Sequence, residues 1–433
     1  MKALILNGAV ALRDMAEAVQ AALEPQLAAR GYAVARHDLA AVEIPPCNGD
    51  FGCWTVTPGV CVQPGPHREI ARELIQSDLV VWLTPVTFGG YSSALKLQLD
   101  HCAPLVAPWF TTVDGETHHV PRYERFPSVL AVGLVERPEA AASAVFERLV
   151  RRNVLNMYAP HYASPVLSRS ELPELSARAS GWLDALAASR PPRAAAVPLE
   201  LGPRPDLPGE APRRALLLVG SPRGSSSVSG GLAAHLAALL TERGLSVTTE
   251  WICRRSPTDP ERLDLARSLR KADVVALATP LYVDSLPAPV TEALEWLARE
   301  RAAAGAARPR FLALVNCGFP EAVHTDTALA ICRLFAEQAG LDWIGGLGIG
   351  GGGMLAGKPL AELGVRARAV TRALALTANA IAQGRVVPDE SQRLVRSLPL
   401  PLWLYRLFGD WGFRQEAKKH GTLARTGERP YAA

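Results

Sequence analysis

Lys2-Ala3-Leu4-Ile5-Leu6-Asn7-Gly8 and Arg214-Ala215-Leu216-Leu217-Leu218-Val219-Gly220 decide the fold of this chain of 433 residues. Each is a short apolar run that ends on a glycine-bearing loop, and each reads as a strand buried on both faces. A second pair repeats the pattern: Asp78-Leu79-Val80-Val81-Trp82-Leu83-Thr84-Pro85 and Asp273-Val274-Val275-Ala276-Leu277-Ala278-Thr279-Pro280. The offsets are 212 and 195 residues, so the first half carries 17 extra residues between its two strands. The cysteine-bearing stretch Pro45 to Pro64 lies in that interval.

Working outward, apolar strands alternate with helical patterns in both halves. The first half reads as strands 2–6, 32–36, 79–84, 128–134 and 161–167, with helices 13–30, 67–76, 92–102, 138–154 and 173–188. The second reads as strands 214–219, 246–251, 273–278, 310–316 and 342–348, with helices 227–243, 260–270, 288–303, 326–339 and 359–383. Five such units per half predict an α/β chain of two doubly wound, parallel five-stranded sheets of order 2-1-3-4-5. Residues 190–213 hold seven prolines, a stiff linker composition that divides a domain at 1–189, with its cysteine segment 45–64, from one at 214–390. An aromatic and basic extension, 391–433, follows with Trp403, Tyr405, Phe408, Trp411, Phe413, Lys418 and Lys419. It reads as a helix packed across the domain pair, with a membrane-surface helix as the alternative. Gly345 to Gly357 is glycine-rich but lacks the partner acid of a dinucleotide fingerprint, and reads as a mobile loop at the sheet's carboxyl edge.

The net charge of +4, from 40 Arg and 6 Lys against interspersed acids, gives a mixed surface rather than a nucleic-acid stripe. No apolar run approaches the ~20 residues of a membrane span. Met1-Lys2 runs straight into a strand with no signal-peptide pattern. A cytoplasmic protein is expected, in which the seven cysteines serve as thiols or ligands rather than disulfides.

Three loops of the second half carry the chemistry. Gly220-Ser221-Pro222-Arg223-Gly224-Ser225-Ser226-Ser227-Val228-Ser229 leaves a strand and enters a helix. Glycine admits an anion close to the backbone, first-turn N–H groups point at it, and the serines and Arg223 add donors. No Walker Lys-Ser/Thr pair is present, so a phosphate monoester fits better than a nucleoside triphosphate. Thr279-Pro280-Leu281-Tyr282-Val283-Asp284-Ser285 offers backbone amides and an aromatic face to a flat ring, and Asn316-Cys317-Gly318-Phe319-Pro320-Glu321 ends the next strand at the same edge.

These loops resemble the flavin-contacting loops of the flavodoxin-like NAD(P)H-dependent FMN reductase family. The resemblance implies two flavodoxin-like sheets in tandem and FMN as cofactor. It implicates Ser221, Arg223, Ser227 and Ser229, with neighbours Ser225 and Ser226, for the phosphate. Pro280, Leu281, Tyr282 and Val283 would meet the ring, with Cys317, Gly318 and Phe319 on its other side. In the first half, Pro85, Val86, Thr87, Phe88 and Gly89 resemble the ring loop, whereas Leu99-Asp100-His101 departs from the Asp-Arg pair common in relatives. The first phosphate loop, Asn7 to Asp14, holds no hydroxyl, and Asp14 would repel a phosphate.

The segment Cys47 to Cys61 resembles that of iron–sulfur flavoproteins, with Asp50 in the place of the second cysteine. Cys47, Asp50, Cys53 and Cys61 are the candidate ligands if a cluster or zinc ion is held. The reading favoured is a vestigial or redox-active loop covering the flavin, with Trp54 packing on its neighbour and no metal held. His118 and His119 are adjacent in a polar loop, a spacing that seldom chelates one ion. The function implied is an oxidoreductase that passes hydride and electrons from NAD(P)H through FMN to a small acceptor such as a quinone, a nitro or azo compound, a flavin or a metal. Hydride transfer needs no acid–base residue, so no catalytic residue is assigned; Tyr282, as a ring contact, and backbone amides would tune the ring, and the alternative is a flavodoxin-type carrier or non-catalytic scaffold. Relatives of this kind pair as homodimers, so a homo-oligomer or an internal pseudo-dimer is expected. In the latter, Phe88 and the Cys53-Trp54 segment of the first half wall the flavin held by the second.

Overall fold

Leu4, Ile5 and Leu6 of β1 (Lys2–Asn7) and Leu216, Leu217 and Leu218 of β9 (Arg214–Val219) are almost wholly buried, as central strands covered on both faces must be. The computed structural model describes residues 1–191, 210–253, 259–302, 308–356, 358–396, 398 and 400–432, so most of the expected Pro-rich linker lies outside the described residues. The chain divides into two units, Met1–Leu199 with Arg406–Ala433, and Glu200–Tyr405.

In unit 1, β1 is followed by α1 (Arg13–Ala29), β2 (Ala33–Asp38), the short α2 (Gly52–Thr55), α3 (His67–Gln76), β3 (Leu79–Pro85) and α4 (Ser93–Asp100). Then come β4 (Val106–Val113), β5 (Glu116–Pro121), β6 (Ser128–Val135), α5 (Ala140–Asn156), β7 (Tyr162–Ala163), β8 (Val166–Ser168) and α6 (Leu175–Ala188). The parallel sheet has the order β2-β1-β3-β6-β7, with β8 also on β6. The single strand expected at 161–167 is therefore two short pieces. Pro165 stands between them without an N–H to give the ladder, and its carbonyl accepts from Gly133 N at 2.9 Å. An antiparallel hairpin, β4–β5, is an addition to the expected scheme. It turns at Asp114-Gly115, both with positive φ (48° and 87°), the strongest short-range hairpin signal in a sequence.

In unit 2, β9 leads to α7 (Val228–Glu242), β10 (Ser246–Trp251), α8 (Asp259–Lys271), β11 (Val274–Pro280), α9 (Ala288–Ala302), β12 (Arg310–Asn316), α10 (Asp326–Gln338) and β13 (Asp342–Ile349). α11 (Arg368–Ala382), α12 (Asp389–Val395) and α13 (Leu402–Lys419) follow, and α13 belongs to unit 1 from Arg406 onward. The sheet order is β10-β9-β11-β12-β13, all parallel. Both sheets thus have the doubly wound order read from the sequence. Leu232, Leu236 and Leu240 on α7 recur at helical spacing and join Leu217 and Val219 in one core with Ala373, Leu374 and Ile381 of α11. α11 begins nine residues later than expected, after Gly364 takes a left-handed φ of 54° that a continuous helix cannot contain.

The acid that opens each second repeat has a structural duty. Asp78 Oδ2 accepts from Lys2 N at 2.8 Å, and Asp273 Oδ2 accepts from Arg213 N and Arg214 N at 2.9 Å. The repeated aspartates tie the start of β3 and of β11 to the neighbouring first strand.

Candidate functional site

At the carboxyl edge of unit 2, Asn316 joins all three loops. Its Oδ1 accepts the Ser229 hydroxyl at 2.7 Å, and its main-chain carbonyl accepts from Leu281 N at 2.8 Å. Asn316 is 7 % exposed, so these bonds form away from bulk water. The sequence marks it as the last residue of a strand and the first of the third loop, but not as the link between the other two.

The serine loop is built around the start of α7. Ser227 is the N-cap: its hydroxyl accepts from Gly230 N at 3.0 Å and donates to Gly224 O at 2.5 Å. Val228 and Ser229, the first two helical residues, present amides that geometry leaves without an intrahelical acceptor. Arg223, Ser225 and Ser226 are exposed, Ser221, Ser227 and Ser229 are buried, and Arg223 makes no ion pair among the described residues. Orphan amides, exposed hydroxyls and an unspent guanidinium suit a phosphate monoester. A Cβ on Gly220 would lie 2.6 Å from Val290 Cγ2, so only glycine lets this loop pass over α9.

The ring loop is a two-residue turn. Tyr282 N donates to Ser285 O at 2.9 Å, and Ser285 N donates to Tyr282 O at 3.1 Å. Both central residues are left-handed, Val283 at φ 48° and Asp284 at φ 54°. A β-branched residue there costs about 1–2 kcal/mol, strain of the kind that gathers at ligand sites. Pro280, Leu281, Tyr282 and Val283 are all half-buried. Beneath the turn, fully buried His324 has Nδ1 4.0 Å from Asp284 Oδ1 and Nε2 3.5 Å from Glu321 Oε2, and its ring lies 4.5 Å from that of Phe319. Spacing gave no sign of this link between the second and third loops.

The third loop is held by the glycine-rich segment, which is packed rather than a free loop. Gly345–Ile349 lie in β13, Gly351 N donates to Phe319 O at 2.7 Å, and Gly352 N donates to Cys317 O at 2.8 Å. A Cβ on Gly350 would sit 2.2 Å from Pro320 O. Tyr405 Oη donates to Gly318 O at 2.7 Å, and burial pushes the Tyr405 phenol up.

Unit 1 repeats the ring loop but not the phosphate loop. Thr87 and Gly90 exchange the same pair of backbone bonds, at 2.9 and 2.7 Å, around Phe88 (φ 52°) and Gly89 (φ 79°). Pro85, Phe88 and Gly89 are buried, and Val86 and Thr87 half-buried. At the other loop Leu12 fills the N-cap with no side-chain acceptor. Arg13 is paired with Asp38 and lies 3.7 Å from Glu17. Asp14 accepts from Arg169 at 2.5 Å, which holds its carboxyl below the usual range. The residues present do not fit a phosphate.

The cysteine segment lies over α4 and the hairpin. Trp54 Nε1 donates to Ala103 O (2.8 Å) and Val106 O (3.0 Å), and its ring stacks on Phe51 at 5.0 Å and meets Phe413 at 5.3 Å. Asp50 Oδ1 accepts from Gly52 N at 2.8 Å. Burial pushes the Cys47 thiol to about 12 and raises those of Cys53 and Cys61. His118 and His119 lie on β5, not in a polar loop, and successive strand residues face opposite ways. His118 Nδ1 is 2.6 Å from Asn156 Oδ1, while His119 Nδ1 donates to Pro108 O at 3.1 Å.

Two doubly wound sheets, each with a left-handed turn after its third strand, define a tandem flavodoxin-like protein. A profile of the NADPH-dependent FMN reductase family matches residues 1–116 and 213–329, and the chain belongs to that family. It is an NAD(P)H-dependent flavin oxidoreductase with FMN as cofactor. No curated protein matches the chain. Among solved structures it is similar to an FMN-dependent NADH-azoreductase from Bacillus anthracis in complex with FMN, at 13 % identity and TM-score 0.30, over 39 % of this chain and 100 % of the other. It is also similar to an NAD(P)H:quinone oxidoreductase from Methanothermobacter marburgensis, at 16 % identity and TM-score 0.30, over 38 % and 96 %. No helix among the described residues is long and apolar enough to cross a membrane.

Proposed function

We propose that unit 2 holds the FMN and that the electrons pass to a small-molecule acceptor, a quinone, a nitro or azo compound, a free flavin or a metal ion. The observation that carries this reading is Asn316, which fastens the serine loop and the ring loop to one point of the sheet. The amides of Val228 and Ser229, the exposed hydroxyls of Ser225 and Ser226, and Arg223 take the phosphate. Ser227 acts by capping α7 and so aiming those amides. Pro280, Leu281, Tyr282 and Val283 line one side of the ring, and Cys317, Gly318 and Phe319 the other. FMN, when bound, supplies the hydride and electron chemistry. The chain's part is to fix the ring through a strained turn and to keep polar partners in place around it.

Combining Arg223→Ala with Ser227→Ala tests this. The purified wild-type protein is expected to be yellow and to bleach with NADPH, and the double variant to lose most of its flavin. Unchanged flavin content in the double variant would sink the assignment. Recolouring of the bleached protein by members of the acceptor panel then ranks the acceptors.

A further inference from the structure

A buried polar atom without a partner costs about 1–3 kcal/mol, so such atoms are few and ask for a reason. His67 has two. Its side chain is 0 % exposed, and neither Nδ1 nor Nε2 has a hydrogen-bond partner. The ring stacks on that of His101, centroids 3.9 Å apart. His101 is 2 % exposed, and its Nδ1 lies 3.4 Å from Cys61 Sγ, itself buried. Donor atoms of Cys61, His67 and His101 all lie within 4.8 Å of one another, the one such group of three found among the described residues. Cys47, Asp50 and Cys53 do not join it.

We propose that Cys61, His67 and His101 form a zinc(II) site in unit 1. Bonds of about 2.3 Å to sulfur and 2.0–2.1 Å to nitrogen at a tetrahedral angle put S and N about 3.6 Å apart. The observed 3.4 Å between Cys61 and His101 is close to that edge. The tautomer is also set: His101 Nε2–H donates to Pro45 O at 2.7 Å, which leaves the Nδ1 lone pair toward Cys61. A ligating histidine is usually oriented by such a bond through its other nitrogen. The ligands come from three places, the cysteine segment, the first residue of α3 and the residue after α4, so an ion would fasten the extra segment to the domain. One thiolate and two imidazoles suit zinc, whereas iron–sulfur clusters are ordinarily held by four thiolates. On binding, the Cys61 S–H bond breaks, the S–Zn bond forms and the proton leaves to solvent. Both histidines bind as neutral rings, and no electron moves.

The test is metal analysis and zinc-edge X-ray absorption on the full chain produced in zinc-supplemented medium. Expected are one zinc per chain and a shell with one sulfur at about 2.3 Å and two imidazole nitrogens at about 2.0–2.1 Å. His67→Ala and His101→Ala should each lose the ion, and Cys53→Ser should keep it. A zinc-free protein, a shell of two or more sulfurs, bound copper, iron with acid-labile sulfide, or zinc retained by a folded His67→Ala would each overturn the proposal. Should the histidine variants fail to fold, the wild-type absorption spectrum decides alone.

Discussion

At the scale of single residues, the site depends on side chains in positions that ordinary preference would reject. Val283 sits at a positive φ that favours glycine, and Asn316 uses its side chain and its carbonyl to hold two loops. His119 shows what burial does to a titratable group. It is tilted against Trp54 at 4.4 Å and stacked on Phe110 at 5.2 Å, and desolvation lowers its pKa to about 3. A depressed histidine pKa means the unfolded chain binds the proton first. The stability from keeping His119 neutral is therefore present above the ordinary value of about 6.5 and is lost as pH falls toward 3. Between pH ~6.5 and ~5 its share of that loss is on the order of 1–2 kcal/mol. His119→Phe keeps the stacking and removes the titration. Denaturation followed by tryptophan fluorescence should give a flatter stability profile over this window for the variant, and equal slopes would refute the linkage.

At the scale of elements, the start of α7 is capped by Ser227, and the proposed function gives it a ligand role as well; two substitutions separate the two roles. Ser227→Ala removes the cap and should destabilise the flavin-free protein by about 1 kcal/mol in a denaturant titration. Ser227→Asp keeps a good cap and places a negative charge where the helix favours one. Its flavin-free stability should match wild type while FMN binding weakens through repulsion of the phosphate. If Asp binds FMN as well as Ser does, the phosphate is not at this helix. This scale also shows what the sequence could reveal. Strands 2–6 and 214–219 were legible because they are apolar after a charged first residue, Lys2 or Arg214, and the serine loop because hydroxyls cluster before a helix. The turn at Phe88-Gly89 carries a glycine signal, but Val283-Asp284 takes the same shape against its own propensity, so only the repeat relates them. Asp114-Gly115 carries the sequence signal of the β4–β5 hairpin. The three donors around His67 were illegible for a different reason: α3 and α4 bring them together, and no spacing along the chain records it.

At the scale of the whole molecule, the two units share a scaffold and differ in their first loop. Both units preserve the sheet order, the aspartate tie, a hydrogen-bonded threonine hydroxyl at the end of the third strand (Thr84 and Thr279) and the left-handed turn. They differ where an anion would be bound. Unit 2 presents helix-start amides and an exposed Arg223, while unit 1 presents Leu12 at the cap, an Arg13 already paired with Asp38, and the Asp14 carboxylate. A charge-assisted hydrogen bond is worth about 1.5–3 kcal/mol, or roughly 10- to 100-fold in Kd. The purified chain should therefore contain one FMN, not two. Arg223→Ala should weaken its binding by about that factor, and Arg13→Ala should leave it unchanged, because Arg13 is spent on its own unit's acids. Flavin-to-protein stoichiometry after saturation, with titrations of both variants, checks each part. Two flavins per chain would show that unit 1 binds the cofactor without a phosphate grip, and equal losses for the two arginines would show that both loops share the anion.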